Sequence, residues 1–270
     1  MKKTKTKIIG IYGPAGSGKD FLCDCIRHFY NKISDSSSQK EIDWIKIYYE
    51  FAENHFTPVL RENIFSFSQR IAFADPLKNT LSCLTNVPLG WFYNTKKKDN
   101  TLINLETLET KDINEIDQSK VVNDELWYSF IEGMNIEDRN YIQNLVNTKD
   151  VWMTLRDLMT YFGSYLVRHH ISNDFWITRT FNDMKNPESE DNLKIITDIR
   201  FKNEYDAIKS IGGKIIEVTS DFNEKNVGGE AESHYEEFDF DYLFMNTKDS
   251  LLFLQRFRKL FELLFPEFFN

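Results

Sequence analysis

Residues 7–20 constrain what this chain can fold into more than any other stretch. Lys7-Ile8-Ile9-Gly10-Ile11-Tyr12 is a short apolar run that reads as a buried strand. Gly13-Pro14-Ala15-Gly16-Ser17-Gly18-Lys19-Asp20 follows directly, and Phe21-Leu22-Cys23-Asp24-Cys25-Ile26-Arg27 reads as a helix. The pattern G-x-x-x-x-G-K between a strand and a helix is the setting of a phosphate-binding loop. Its glycines, Gly13, Gly16 and Gly18, let backbone N–H groups turn toward one point, and the helix N-terminus adds partial positive charge there. Lys19 is placed to reach the β- and γ-phosphates. The motif points to a nucleoside triphosphate and to phosphoryl transfer.

Position 20 departs from the usual pattern. Most such loops carry Ser or Thr there, with the hydroxyl on Mg²⁺. Asp20 is an anionic oxygen donor that can hold Mg²⁺ directly or through water; it can also simply favour the first helical turn.

Bulk composition narrows the setting. A length of 270 residues suits one large α/β domain, or a core with a helical insertion. Twenty-three Phe and 12 Tyr predict a strongly aromatic core. A net charge of −9 argues against a nucleic-acid-binding protein, whose phosphate contacts need a basic surface. Cys23, Cys25 and Cys83 lack the spacing of a zinc site. The odd cysteine count and the lack of a signal-peptide pattern point to reduced thiols in the cytoplasm. No apolar stretch approaches about 18 residues, so no membrane span is expected.

Alternating elements follow the loop. Ser34–Lys40 reads as a loop, and Ile64-Phe65-Ser66-Phe67-Ser68 alternates like a half-buried strand. Ile71–Ala74 ends a strand that breaks at Asp75-Pro76 into a helix. Residues 92–150, rich in Asn, Lys, Asp and Glu, read as a peripheral helical insertion with Thr95–Asn100 as its most exposed loop. Trp152, Leu155, Met159, Phe162 and Leu166 form the stripe of an amphipathic helix. Leu193–Asp198 is a strand ending in an acid, 201–211 a helix closed by Gly212-Gly213, and Lys214–Thr219 another strand. Tyr242–Met245 is the last strand, turning at Asn246 into a helix over about 249–264. The alternation predicts an α/β fold, a parallel sheet covered by helices on both faces, with functional loops at the strands' carboxyl ends.

Transfer to an acceptor that is itself a phosphate needs positive charge, alignment and exclusion of water rather than a strong base. Arg156 lies off the apolar stripe, on one face with Thr160 and Gly163; Arg168 follows on the same helix, and Arg179 lies beyond Trp176. Arg200 sits two residues past Asp198. The planar fork of arginine suits bidentate phosphate contacts. Asp198 stands where a metal-positioning acid ends a strand, or forms an ion pair with Arg200 or Lys202. Trp176 can stack on a base or pack in the core. His169, His170 and His234 show no metal geometry.

Together these segments resemble the deoxynucleoside monophosphate kinases of tailed bacteriophages and their relatives. The matching residues, in order, are Gly18-Lys19-Asp20, Phe73-Ala74-Asp75-Pro76-Leu77-Lys78, and Leu155-Arg156-Asp157-Leu158-Met159 with Phe162-Gly163-Ser164 and Arg168. Asp174-Phe175-Trp176, Thr197-Asp198-Ile199-Arg200 through Glu204 and Ala207, Gly212-Gly213-Lys214, and Glu232-Ser233-His234 complete the set. The resemblance implies a P-loop kinase core with a helical acceptor-binding insertion, in which Ser17 to Phe21 bind ATP phosphates. It further implies that Leu77, Lys78, Arg156, Gly163, Arg168, Trp176 and Asp198 serve the acceptor. Ala15 departs from relatives that carry a lysine near the acceptor phosphate, residues 92–150 match no recognisable family segment, and Lys96, Lys97 and Lys98 are candidates for a further family cation.

The resulting expectation is a single domain over 1–270, with a core of about 1–33 and 151–270 and the insertion over about 71–150. Its activity is ATP-dependent phosphorylation of a (deoxy)nucleoside monophosphate, with Lys19, Arg156, Arg200 and Asp198 catalytic, Asp20 on Mg²⁺, and a homodimer allowed. A P-loop kinase for phosphomevalonate or dephospho-coenzyme A is the nearest alternative. A non-catalytic nucleotide switch is less consistent with the sequence, which lacks N/T-K-x-D.

Overall fold

The structure, a computed structural model, describes residues 6–35, 42–54, 67–184, 193–222 and 238–269. In chain order its main elements are β1 (Lys7–Tyr12), α1 (Lys19–Asp35), α2 (Trp44–Asn54), β2 (Ser68–Ile71), α3 (Asp75–Thr85), α4 (Leu89–Tyr93) and α5 (Thr95–Asn100). Next come β3 (Thr101–Asn104), β4 (Thr110–Asp112), α6 (Asp124–Glu132), α7 (Ile136–Thr148), β5 (Trp152–Thr154) and α8 (Leu155–Thr160). After a π-helical stretch, Tyr161–His169, the chain continues through α9 (Phe175–Met184), β6 (Leu193–Ile196) and α10 (Lys202–Ser210). It closes with β7 (Lys214–Ser220), β8 (Tyr242–Asn246) and α11 (Ser250–Leu264). Two compact units result, Met1–Phe73 with Asn182–Asn270, and Ala74–Phe181.

The first unit is built on a five-stranded parallel sheet in the order β2-β6-β1-β7-β8. Parallel strands buried on both faces need predominantly apolar runs, which β1, β6 and β7 supply through Ile8-Ile9, Ile195-Ile196 and Ile215-Ile216. Ile9 pairs with Ile195, and Ile11 with Ile216, so one face presents isoleucines to α1, α2 and α11. The aromatic residues fill this layer: Phe29 meets Phe257 at 4.8 Å and stacks on Trp44 at 5.3 Å. Each such ring contributes about 1.5–3 kcal/mol by burial. On the other face α10 comes close over Gly10, where an added Cβ would lie 2.5 Å from Ile199 Cδ1. Tyr205 stacks on Phe238 at 4.7 Å, beside Tyr12. The expected helices on both faces are present. The strand expected at 64–68 begins at Ser68, residues 64–66 lying outside the described residues, and α1 runs into the loop expected from Ser34.

A buried amide fixes β2 against α1. Asn31 donates to Ser68 Oγ at 2.5 Å and accepts from Phe67 N at 2.9 Å. Cys23 and Cys25 are fully buried on α1, and burial pushes the Cys23 thiol up to about 12, so both act as small apolar side chains. His28 is also buried there, and desolvation, aided by Lys32 and opposed by Glu50, lowers its pKa to about 4. Between about pH 4 and the unfolded value near 6.5, the unfolded chain binds the extra proton, so acidification removes stability. Unfolding titrations at pH 7 and pH 4.5 should show a loss on the order of 2 kcal/mol that His28→Leu abolishes. An identical pH dependence in the variant would contradict this.

The second unit carries its own core around Leu81, Phe92, Val122, Met153, Leu155 and Trp176. It also holds a three-stranded antiparallel sheet, β4-β3-β5, where helices alone are expected. The 95–100 segment is helical rather than a loop, because Asn94 caps it by accepting from Lys97 N at 3.0 Å. The stripe beginning at Trp152 is likewise split: Trp152 pairs in β5, and Thr154 caps α8 by accepting from Asp157 N at 3.0 Å. Among the described residues, no helix is long and apolar enough to cross a membrane.

Candidate active site

The loop after β1 is held open by absent side chains. Gly13 takes φ +152°, and a Cβ there would lie 2.3 Å from Val218 O and 2.9 Å from Ser17 Oγ. Gly18 takes φ +89°, and its Cβ would fall 2.0 Å from Asn246 Nδ2. Gly16 also lies in the left-handed region, at φ +78°. The Lys19 ammonium folds over this loop, donating to Gly13 O and, at 2.8 Å, to Pro14 O. Ser17 is fully buried, and its Oγ has no hydrogen-bond partner among the described residues. A buried hydroxyl left unbonded costs free energy, so a bound anion or metal at the loop fits this donor set. Phe21 is partly buried and packs between Phe51 and Phe253 at 5.2 Å from each, so its ring faces the core of the first unit.

Asp20 is exposed, and its carboxylate accepts from Arg70 Nη2 at 2.7 Å. Arg70, on β2, also donates through Nε to Thr197 Oγ1 at 3.3 Å. This links the loop acid to the ends of two neighbouring strands. Asp198 Oδ1 accepts from Phe73 N at 2.7 Å, tying the segment after β6 to the one after β2. Arg200 is exposed just ahead of α10, and the buried Glu204 carboxylate accepts from Arg200 N at 2.8 Å and Phe201 N at 3.2 Å. That contact satisfies amides at the helix start and fixes the Asp198–Phe201 turn. Lys202 pairs with Asp206 along the helix. The first unit thus brings together Gly13 to Asp20, Arg70 and Thr197.

Sequence reasoning missed Arg70 and Asn246. A lone charge on an edge strand reads as a solvated residue, and Arg70 is linked to Asp20 only through the fold. His234 and its neighbours Glu232 and Ser233 lie outside the described residues.

In the second unit, Lys78 is largely buried, 3.3 Å from Asp75 Oδ1 and 4.0 Å above the Tyr93 ring. Tyr93 OH donates to Asp75 at 2.7 Å. Arg156 is half-exposed at the start of α8 and donates through Nε to Asp99. The hydrogen bond holds the guanidinium pKa above, and the Asp99 carboxyl below, its ordinary value. Thr160 Oγ1 donates to Arg156 O at 3.2 Å, in agreement with the face expected for them. Arg168 lies in the π-helical stretch, as does Gly163, whose carbonyl accepts from Trp176 Nε1 at 3.0 Å. Trp176 is 3% exposed, so the structure has it packed in the core. π-Helical turns concentrate at functional sites.

Gly163 abuts Leu77, and an added Cβ would stand 2.6 Å from Leu77 Cδ2. Gly163→Ala should therefore displace Leu77 and destabilise by about 1–3 kcal/mol. Leu77→Ala in the same chain should recover part of that loss. Thermal unfolding of the three variants checks the coupling, and additive effects would contradict it.

The chain matches the family model for deoxynucleotide monophosphate kinases over residues 94–246, more than half of its length. The match includes residues 94–150, for which the sequence alone offered no family segment, and it begins after the Gly13–Asp20 loop. No curated protein matches the chain.

Proposed function

We propose a division of roles within this chain, which belongs to the deoxynucleotide monophosphate kinase family. Membership makes it a phosphotransferase acting on a deoxynucleoside monophosphate, and no observation favours another acceptor class. On the proposed reading, ATP is the donor, and Gly13, Gly16, Ser17, Gly18, Lys19, Asp20 and the Phe21 backbone hold its phosphates. The observation that carries this is the loop in which Gly13 and Gly18 leave no space for a Cβ, with the Lys19 ammonium folded over it. Asp20 and Ser17 are the residues that would hold Mg²⁺, which when bound neutralises phosphate charge.

Lys78, Arg156 and Arg168 hold the acceptor's phosphate by charge, with Leu77 and Gly163 shaping its surroundings and Trp176 bracing Gly163. Arg200 and Arg156 supply fixed positive charge where the transferring group becomes more charged. Asp198 orients its loop through Phe73 and positions acceptor or metal. The acceptor phosphate is already anionic, so no residue is assigned as a strong base. The setting is the cytoplasm, with small nucleotides as substrates and no role for nucleic acid or membrane.

Mg²⁺ dependence tests the assignment of Asp20. Asp20→Ala should raise the Mg²⁺ concentration needed for half-maximal turnover and weaken Mg²⁺-dependent ATP binding in calorimetry, while the acceptor KM stays near native. Arg70→Ala, which frees Asp20, should shift the Mg²⁺ curve the opposite way. Unchanged Mg²⁺ curves in both would leave Asp20 a helix-terminus residue only.

A further inference from the structure

The geometry points to Asn246 as the residue that sets the Ser17–Gly18 peptide for polyphosphate binding; this rests on the reading of that loop as the ATP-phosphate site. Asn246 ends β8 and is buried, at 6% exposure. Its Nδ2 donates to Ser17 O at 2.9 Å, and its Oδ1 accepts from Thr247 N at 2.9 Å. The second bond fixes which end of the amide faces the loop. The first bond ties the end of β8 to a turn 229 residues away in sequence, and the second is local.

A trans peptide points its C=O and N–H in opposite directions. By holding the Ser17 carbonyl, Asn246 turns the Gly18 N–H away from itself, and this orientation is what an anion-binding amide requires. The neighbouring Ser17 N–H is already used inside the loop, donating to Pro14 O at 3.2 Å. At its other end Gly18 O accepts from Leu22 N at 2.9 Å, the first turn of α1. Gly18 is thus fixed on both sides. The amide of Asn246 also occupies the space a Cβ at position 18 would need, so the two residues act as one unit. Asn246 is a positioning residue: it acts on the phosphates through the Ser17–Gly18 peptide.

Asn246→Asp keeps the shape but sets an oxygen against the Ser17 carbonyl, and Asn246→Ala removes the donor without adding charge. Calorimetry on the full chain would measure Mg²⁺-ATP, Mg²⁺-tripolyphosphate and a deoxynucleoside monophosphate, with Lys19→Ala as reference. Asn246→Asp should weaken ATP and tripolyphosphate by the same factor, about 10-fold or more, with the monophosphate unchanged within about twofold. A purely structural role would instead lower the unfolding midpoint and leave the affinities of the folded fraction alone. Asn246→Ala decides the matter where the aspartate variant does not fold. The proposal is overturned if a folded Asn246 variant binds both polyphosphates within about twofold of the native chain while Lys19→Ala loses them. If the native chain does not bind tripolyphosphate, the loop reading fails and takes this proposal with it.

Discussion

Lys19→Ala is expected to lower kcat by about 10²–10³-fold with an unchanged unfolding midpoint. A fixed charge aimed at phosphoryl oxygens stabilises the transition state by about 3–4 kcal/mol, and its loss appears in rate rather than in stability. The structural reason is the position of the ammonium. It rests on the carbonyls of its own loop, Gly13 and Pro14, and is not part of any packed core. Replacing those two backbone contacts by phosphate contacts requires no rearrangement of the sheet. Steady-state ADP release together with thermal unfolding checks the result. A folded variant with near-native turnover would end the assignment of the loop.

Arg156→Ala should reduce kcat/KM by a similar factor, about 10²–10³, through both acceptor affinity and rate. Arg156→Lys should already be damaging, since lysine keeps the charge and loses the planar fork. Asp99 supports this expectation from the other side. It accepts from Arg156 Nε, which leaves the paired Nη groups as the bidentate edge. Both partners are about half-exposed, so the ion pair contributes little to stability, on the order of 1 kcal/mol or less. Neither variant should move the unfolding midpoint by more than a few degrees. Initial-rate measurements against acceptor concentration separate the outcomes. If lysine is tolerated and only alanine hurts, Arg156 contributes general electrostatics and is not a clamp.

The strand, glycine-rich turn and helix over residues 7–35 and the parallel sheet were legible because their signals are local. The runs around Ile9, Ile195 and Ile216 are rich in β-branched apolar residues, as parallel strands buried on both faces are, although Lys194 and Glu217 interrupt two of them. The helix over 202–210 and its glycine stop were equally plain, and Glu204 explains why the stretch after Asp198 has an acid there. The small sheet was not legible. All four residues of Thr101–Asn104 are buried and all three of Thr110–Asp112 are exposed, so neither strand shows alternation. Trp152 fell into helical spacing with Leu155 by coincidence of its burial. Arg70 and Asn246 escaped for a different reason: each earns its role through a partner far away in sequence, Asp20 in one case and Ser17 in the other.

Transfer of labelled phosphate tests the central claim most directly. The full chain, incubated with Mg²⁺ and ATP labelled at the γ-phosphate, would be offered each deoxynucleoside monophosphate, phosphomevalonate and dephospho-coenzyme A in turn. The label should appear in a deoxynucleoside diphosphate, with ADP as co-product, and Lys19→Ala should abolish its appearance. Label recovered only as inorganic phosphate, or transferred to one of the other two acceptors in preference to every deoxynucleotide, would contradict the account.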